Sequence, residues 1–334
     1  MIITKPDYYD TFHCLASACP DSCCKEWAVQ VDPESAARYR KLPGTLGEHL
    51  RRVMAEVGGD TILSLTADKR CPMWRQDGLC SIQAQLGEDF LCHTCRQFPR
   101  LRHDYGDFIE LDLELSCPEA ARLILSGSTT PIVTECPGGE APEYDTEAMS
   151  ILLKSRSAFL SFLDNKTLPV GKTLAVLLLY GYAVQEELDY GEPAVLKPIT
   201  MLESAKALSA SGNLSAILNF FKGLNILTPK WRYLLENPAC TPWSEELRPL
   251  IKYFIMRYWL QAVSDYDLIG RVKFTIISCL VIKSVGKNLV DTAQLYSKEI
   301  ENDADNVDAI LDGAYSSPAL ADTGLLSLLL EDDL

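Results

Sequence analysis

With 334 residues, 47% of them hydrophobic, the chain is long enough to bury a sizeable core and suggests two domains rather than one small module. Its formal net charge of −15 argues against general nucleic-acid binding, because phosphate recognition needs a clustered lysine and arginine surface. An acidic surface suits a basic target such as an exposed lysine, although many inert cytosolic proteins share it.

In chain order, MIITKPDYYD has no basic region leading into an apolar one, so it reads as neither a secretion signal nor a transit peptide, and the expected location is the cytosol. Asp32 followed by Pro33 and ESAARYRKL predicts an N-cap, a first-turn proline and a short helix. TILSLT, residues 61–66, suits a strand. KRCPMWRQDGLCSI centres on Asp77-Gly78, a tight-turn signal that sets Cys71 near Cys80 across a hairpin. LRHDYGDFIELDLEL predicts a second hairpin, turning near Tyr105-Gly106 and delivering Cys117 to the same neighbourhood. Pro118 then opens a helix in PEAARLIL.

The proline- and glycine-rich TTPIVTECPGGEAPEYD, residues 129–145, reads as a linker. Beyond it, EAMSILLKSRSAFLSFL, TLAVLLLYGYAVQEEL, AILNFFKGL, SEELRPLIKYFIMRYWLQAV and RVKFTIISCLVIKSV repeat apolar residues at three- and four-residue spacing, the helical signature. No heptad or fixed repeat is visible. The longest apolar run, TLAVLLLYGYAV, falls short of the roughly 18 residues of a membrane span and predicts a buried helix. The acidic tail reads as a solvated helical face. The predicted fold is therefore mainly α: a cysteine-rich α+β region organised by a metal centre (1–128), a linker (129–145) and an all-helical domain (146–334).

Of the twelve cysteines, Cys14, Cys19, Cys23, Cys24, Cys71, Cys80, Cys92, Cys95 and Cys117 crowd the first third of the chain. In a reducing cytosol such a cluster binds metal more often than it forms disulfides. Thiolates are soft ligands that select zinc or iron–sulphur clusters, and the two-residue loop of Cys92-x-x-Cys95 lets both sulphurs converge. Packing preference explains single buried cysteines but not this clustering. The expected ligand pool is Cys19, Cys23, Cys24, Cys71, Cys80, Cys92, Cys95 and Cys117, with Cys14 in reserve; spacing does not choose between zinc and iron–sulphur. Cys19-x3-Cys23 followed at once by Cys24 departs from the three-cysteine pattern of ordinary radical enzymes that cleave S-adenosylmethionine. His13 and His93 adjoin cysteines, but ordinary histidine roles account for both.

Other signatures fail. Val170-Gly171-Lys172-Thr173 resembles the end of a phosphate-binding loop, yet Lys166 stands where the first glycine is required. No dinucleotide fingerprint, serine elbow or His-Glu-x-x-His occurs. Around IKYFIMRYWLQAVSDYD, the side chains of Tyr253, Tyr258, Asp265 and Asp267 are the catalytic candidates, since tyrosine and carboxylate groups about an apolar cleft hold and desolvate a lysine amine. A helical core stripe explains the same aromatics.

On these residues the chain resembles the bacterial flagellin lysine N-methylase family, through YYDTFHCLASACPDSCCKEW, CPMWRQDGLCSIQAQLGEDFLCHTCRQFPR, LELSCPEAARLIL, RVKFTIISCLVIKS and YSKEIENDADNVDAILD. The central block also resembles a wider group of small iron- or zinc-binding cysteine-cluster proteins. The resemblance implies methyl transfer from S-adenosylmethionine to lysine ε-amino groups of flagellin, in the cytoplasm, with an iron–sulphur centre of the four-iron type built from the N-terminal cysteines. Amine methylation itself needs a neutral lysine and an aligned sulphonium methyl but no metal. The cluster would then serve a separate purpose. It could hold the amino and carboxylate groups of S-adenosylmethionine through an open iron position, staple the small domain, or join in the transfer. The alternative reading is a non-catalytic zinc or iron–sulphur scaffold, or a redox-sensing module.

Overall fold

A computed structural model describes residues 1–126 and 130–331. The expected domain limit at 128, the first linker residue and the last three residues of the chain lie outside the described residues. The first third carries β1 (Ile2–Pro6), β2 (Val29–Gln30), α1 (Pro33–Lys41), α2 (Gly44–Val53), β3 (Met54–Val57), β4 (Asp60–Leu63), α3 (Ser81–Leu86), α4 (His93–Gln97), β5 (Arg100–Asp104), β6 (Phe108–Leu113), α5 (Pro118–Ile124) and β7 (Pro131–Glu135). The rest is helical: α6 (Thr146–Asp164), α7 (Val170–Tyr190), α8 (Pro198–Leu208), α9 (Leu214–Lys222), α10 (Pro229–Glu236), α11 (Arg248–Tyr258), α12 (Leu268–Val285), α13 (Leu289–Tyr296), α14 (Ala304–Ser316) and α15 (Asp322–Leu330). The architecture is mainly α, as the periodicity predicts.

Local chemistry sets several of these boundaries. Asp32 accepts a hydrogen bond from the Ser35 backbone N–H (2.9 Å) with Pro33 in the first turn, so α1 starts where its cap stands. Gly78 has φ +80°, a conformation that suits glycine, and it lets the chain reverse so that Trp74 bridges Cys80. Pro118 occupies the first turn of α5.

Two sheets form. One is antiparallel in the order β2-β4-β3; the other runs β5-β6-β1-β7, with β1 parallel to β6 and the remaining pairs antiparallel. The last strand is a departure from expectation, because Pro131–Glu135 falls inside the stretch read as a linker. Its β-branched run Ile132-Val133-Thr134 pairs with β1, Ile3 opposite Thr134, and covers an edge that would otherwise be open.

Two hydrophobic cores result. The smaller one gathers Val29, Val31, Tyr39, Leu50, Leu63, Met73 and Ile82 with Cys71 and Cys92. The larger extends from Tyr8, Phe12 and Leu113 through most of the helical region. At its centre lies α12, which is apolar nearly all round and so is buried on every side, as such a helix must be. Gly181 of α7 allows a close approach to α12, since a Cβ there would stand 3.0 Å from Val272. The run TLAVLLLYGYAV lies in α7 and is buried among helices, and among the described residues no helix is long and apolar enough to cross a membrane.

Candidate metal centre

The thiols are brought together by backbone pairing. The Cys71 N–H donates to the Cys24 carbonyl (2.7 Å), next to a Lys25–Arg70 bridge, which joins the first cysteine loop to the second. The Cys92 thiol points to the Gln30 carbonyl (3.8 Å). Cys80, Cys92 and Cys117 each stand immediately before a helix, α3, α4 and α5 respectively. All are free thiols.

Their arrangement falls into two overlapping sets. Cys24, Cys71, Cys80, Cys92 and Cys95 border the smaller core. Cys14, Cys19, Cys23, Cys95 and Cys117 line a cavity of about 280 Å³, together with His13, Asp21 and Lys298.

Thiol–thiol contacts polarise both sets. A hydrogen bond from Cys95 brings Cys92 down to about 7 against the effect of burial, while Cys95 is driven up by that same bond and by burial. Cys71 is lowered by its bond with Cys24. At Cys24 the bond with Cys23 acts downward, but the bond to Cys71 and burial prevail and push it to about 12. Burial raises Cys117 to about 12 and also raises Cys19 and Cys80. The result is an acidified thiol beside a reluctant one, twice over.

Soft donors in this number fit a thiophilic centre chemically. Among the described residues, however, no group of three or more His, Cys, Asp or Glu side chains is placed to hold a metal ion. The thiols approach in pairs, so closing a ligand set requires the reluctant partners to lose protons. Of the histidines, His13 lines the cavity, His93 donates its backbone N–H to Asp32 (2.8 Å), and His49 Nε2 meets the Pro72 carbonyl (3.1 Å).

The cavity is closed on its far side by a π-helical turn, Ser297–Glu301, that continues α13. Lys298, buried, pairs with Asp21 (2.9 Å) and Glu26 (2.5 Å) of the first cysteine loop, and Gln294 Nε2 donates to Asp21 (3.1 Å). Burial works against ionisation of Asp21, but Lys25 and Lys298 outweigh it and hold the carboxyl down at about 2. Glu299 accepts the backbone N–H groups of Leu227 (2.7 Å) and Thr228 (2.9 Å). Glu301, whose side chain is fully buried, pairs with Arg257 (3.0 Å) and accepts from Tyr258 (2.8 Å) and Tyr253 (3.3 Å).

The four catalytic candidates therefore separate. Tyr253 and Tyr258 meet at Glu301. Asp267 instead caps α12 through the Gly270 N–H (2.8 Å) and accepts from Tyr315, and Asp265 pairs with Arg271 (2.9 Å). Sequence reasoning missed Glu301, Lys298, Glu110 and Asp112. For the last two a signal existed: in FIELDL, strand alternation puts Phe108, Glu110 and Asp112 on one face, where two acids call for buried partners.

These features define a class: a mainly helical protein with a thiol-rich lobe locked by ion pairs onto a helical body. The chain belongs to the family of the flagellar biosynthetic protein FliU. It is 30% identical to FliU of Salmonella muenchen over 137 residues, which cover 77% of that protein and 37% of this chain. It is also 31% identical, over 137 residues, to proteins named Lysine-N-methylase from Salmonella typhimurium (strain LT2) and Salmonella choleraesuis (strain SC-B67). The chain spans 32% of the length of each of these two. No family model matches, and no solved structure matches.

Proposed function

We propose that the protein is a cytoplasmic lysine N-methyltransferase that uses S-adenosylmethionine, acts on flagellin and carries an iron–sulphur cluster, with the four-iron type expected and zinc the alternative. The observation that supports this most is the set of free thiols gathered beside one cavity, in a chain whose relatives include two named Lysine-N-methylase. The ligands would come from Cys19, Cys23, Cys24, Cys71, Cys80, Cys92, Cys95 and Cys117, with Cys14 in reserve. Bound there, the cluster would supply an electrophilic iron position or a rigid staple for the lobe.

The chain's own residues have definable roles. Methylation needs a neutral amine held in line with a sulphonium methyl, so the site must exclude water and hold a proton acceptor near the amine. Lys298, Asp21 and Glu26 fix the first cysteine loop against the helical body, which keeps the cavity's two walls in register. Tyr253, Tyr258 and Glu301 form a buried hydrogen-bonded group beside that wall.

The intact mass of flagellin co-produced with this protein, against a Cys92→Ser/Cys95→Ser control, tests the reading. Steps of one methylene with the wild type alone are expected. Absence of steps with a folded, metal-loaded wild type would favour a binding scaffold instead.

A further inference from the structure

A second cavity, about 700 Å³ in volume, lies between the four-stranded sheet and the helix pair α6 and α11. It is separate from the thiol-lined cavity and belongs in the size range of sites for small organic ligands. Its walls are largely apolar, with Phe108 from the sheet, Leu153 and Leu160 from α6 and Met256 from α11, while Asp107 and Asp164 stand among its polar lining. Into this apolar space β6 projects two carboxylates on alternate positions, Glu110 and Asp112.

Their circumstances differ. Glu110 is neutralised by a two-pronged pair with Arg156 (2.9 and 2.5 Å). The other lining cations are also engaged, Lys5 with Asp10 (2.6 Å) and Lys252 with Asp164 (3.4 Å). Asp112 has no ion-pair partner among the described residues. Its Oδ1 accepts from the Tyr8 hydroxyl (2.7 Å) and the Leu113 N–H (2.7 Å), and its Oδ2 accepts no hydrogen bond among them. Burial pushes the Asp112 carboxyl up to about 6, against the hydrogen bonds from Tyr8 and Leu113 and the field of Arg257, which acts on it without forming an ion pair.

An ionised carboxylate in an apolar cavity, with one oxygen unused, is best compensated by a positive group brought in by a ligand. The surrounding surface is then left for that ligand's apolar body. We propose that this cavity binds an organic cation, its charged centre against Asp112 Oδ2 and its body along Phe108, Leu153 and Met256. The inference rests on the methyltransferase reading for its two sources: the sulphonium of S-adenosylmethionine and the ammonium of an acceptor lysine. Tyr253 lines the cavity, and its hydroxyl reaches Glu301, next to Asn302, which lines the thiol cavity; the two spaces thus share a polar partition.

Equilibrium dialysis of the full-length, metal-loaded protein tests this with two charge pairs. One is S-adenosylmethionine against neutral S-adenosylhomocysteine; the other is a lysyl peptide against its norleucine twin. At least one cation should bind tenfold or more tightly than its neutral twin. Asp112→Asn should remove most of that preference while leaving affinity for the neutral twin within about twofold, and Leu153→Trp, a plug at the mouth, should weaken both members of the pair. Melting curves at pH 8 report whether the variants are folded; Asp112→Asn should melt no lower than wild type there, since it removes a charge that no cation pairs with directly while keeping the oxygen that accepts from Tyr8 and Leu113. A lysyl-peptide preference lost in Asp112→Asn would support the site even if S-adenosylmethionine failed to bind and the donor assignment fell. No charge preference in either pair, or one that folded Asp112→Asn and Leu153→Trp both leave intact, overturns the site. Should flagellin still gain methyl groups in that case, the enzyme stands and its cation lies elsewhere.

Discussion

The lobe built on the smaller core and the helical body solve the same problem with different materials. In the body, Trp231, Phe254, Phe274 and Tyr296 pack ring against ring at 5.9 to 6.2 Å, and α12 runs through the middle with scarcely a polar atom exposed. In the lobe, the elements are two to ten residues long, and thiols take places that aliphatic side chains fill elsewhere. A core of the first kind is held mainly by apolar burial. One of the second kind gives part of its interior to thiols, which on the proposed metal-centre reading would stabilise fully only when they share a ligand.

The largest break in this comparison should come from the body. Trp231, fully buried between α9 and α13, should lose about 3–5 kcal/mol on replacement by alanine. Denaturant unfolding followed by far-ultraviolet circular dichroism reads this as a large drop in midpoint. Next comes metal removal. If the proposed metal centre is present, chelation should raise amide exchange throughout residues 14–98 while α7 and α12 keep their protection; hydrogen exchange with mass spectrometry would show α7 and α12 losing protection as well if the two regions unfold as one.

A smaller effect lies in the lobe's own cap. Asp32→Ala should cost about 1 kcal/mol at pH 7. Burial acts upward on this carboxyl, but the N–H groups of His93 and Ser35 outweigh it and hold it at about 2, below the ordinary value near 4. The stability it contributes is therefore present above pH 4 and lost as pH falls through 2, so the gap between wild type and variant in urea midpoint should narrow over that range. The smallest effect belongs to the exposed Arg40–Glu56 pair (2.7 Å). Arg40→Ala should change the unfolding midpoint by no more than about 0.5 kcal/mol equivalent.

What could be read beforehand was local. Asp32-Pro33, Asp77-Gly78 and Pro118 act through their own backbone, and each stands where its spacing predicts. The burial of α7 and α12 is likewise written in their composition. The identity of β7 was hidden because its turn-forming neighbours dominate the stretch, and only the open edge of β1 makes it a strand. The contact of Lys298 with Asp21 and Glu26 joins residues more than 270 positions apart, and nothing in either segment alone announces the other. The cysteines were legible as a group but not in their pairing, which depends on how two loops cross at Cys24 and Cys71.

The π-helical turn at Ser297–Glu301 makes the count of residues matter at this point in the chain. In an ordinary α-helix each residue turns the next by about 100°, and a π turn absorbs one residue beyond that schedule. The surplus residue acts as a phase shifter, sending Lys298 to the cysteine loop, Glu299 to the start of α10 and Glu301 to Arg257, three directions from one short stretch. A single deletion there would return the helix to its regular phase and leave every one of these side chains chemically intact. It would also misdirect at least one of them, so the lock between lobe and body depends on the number of residues in the turn as much as on their kind.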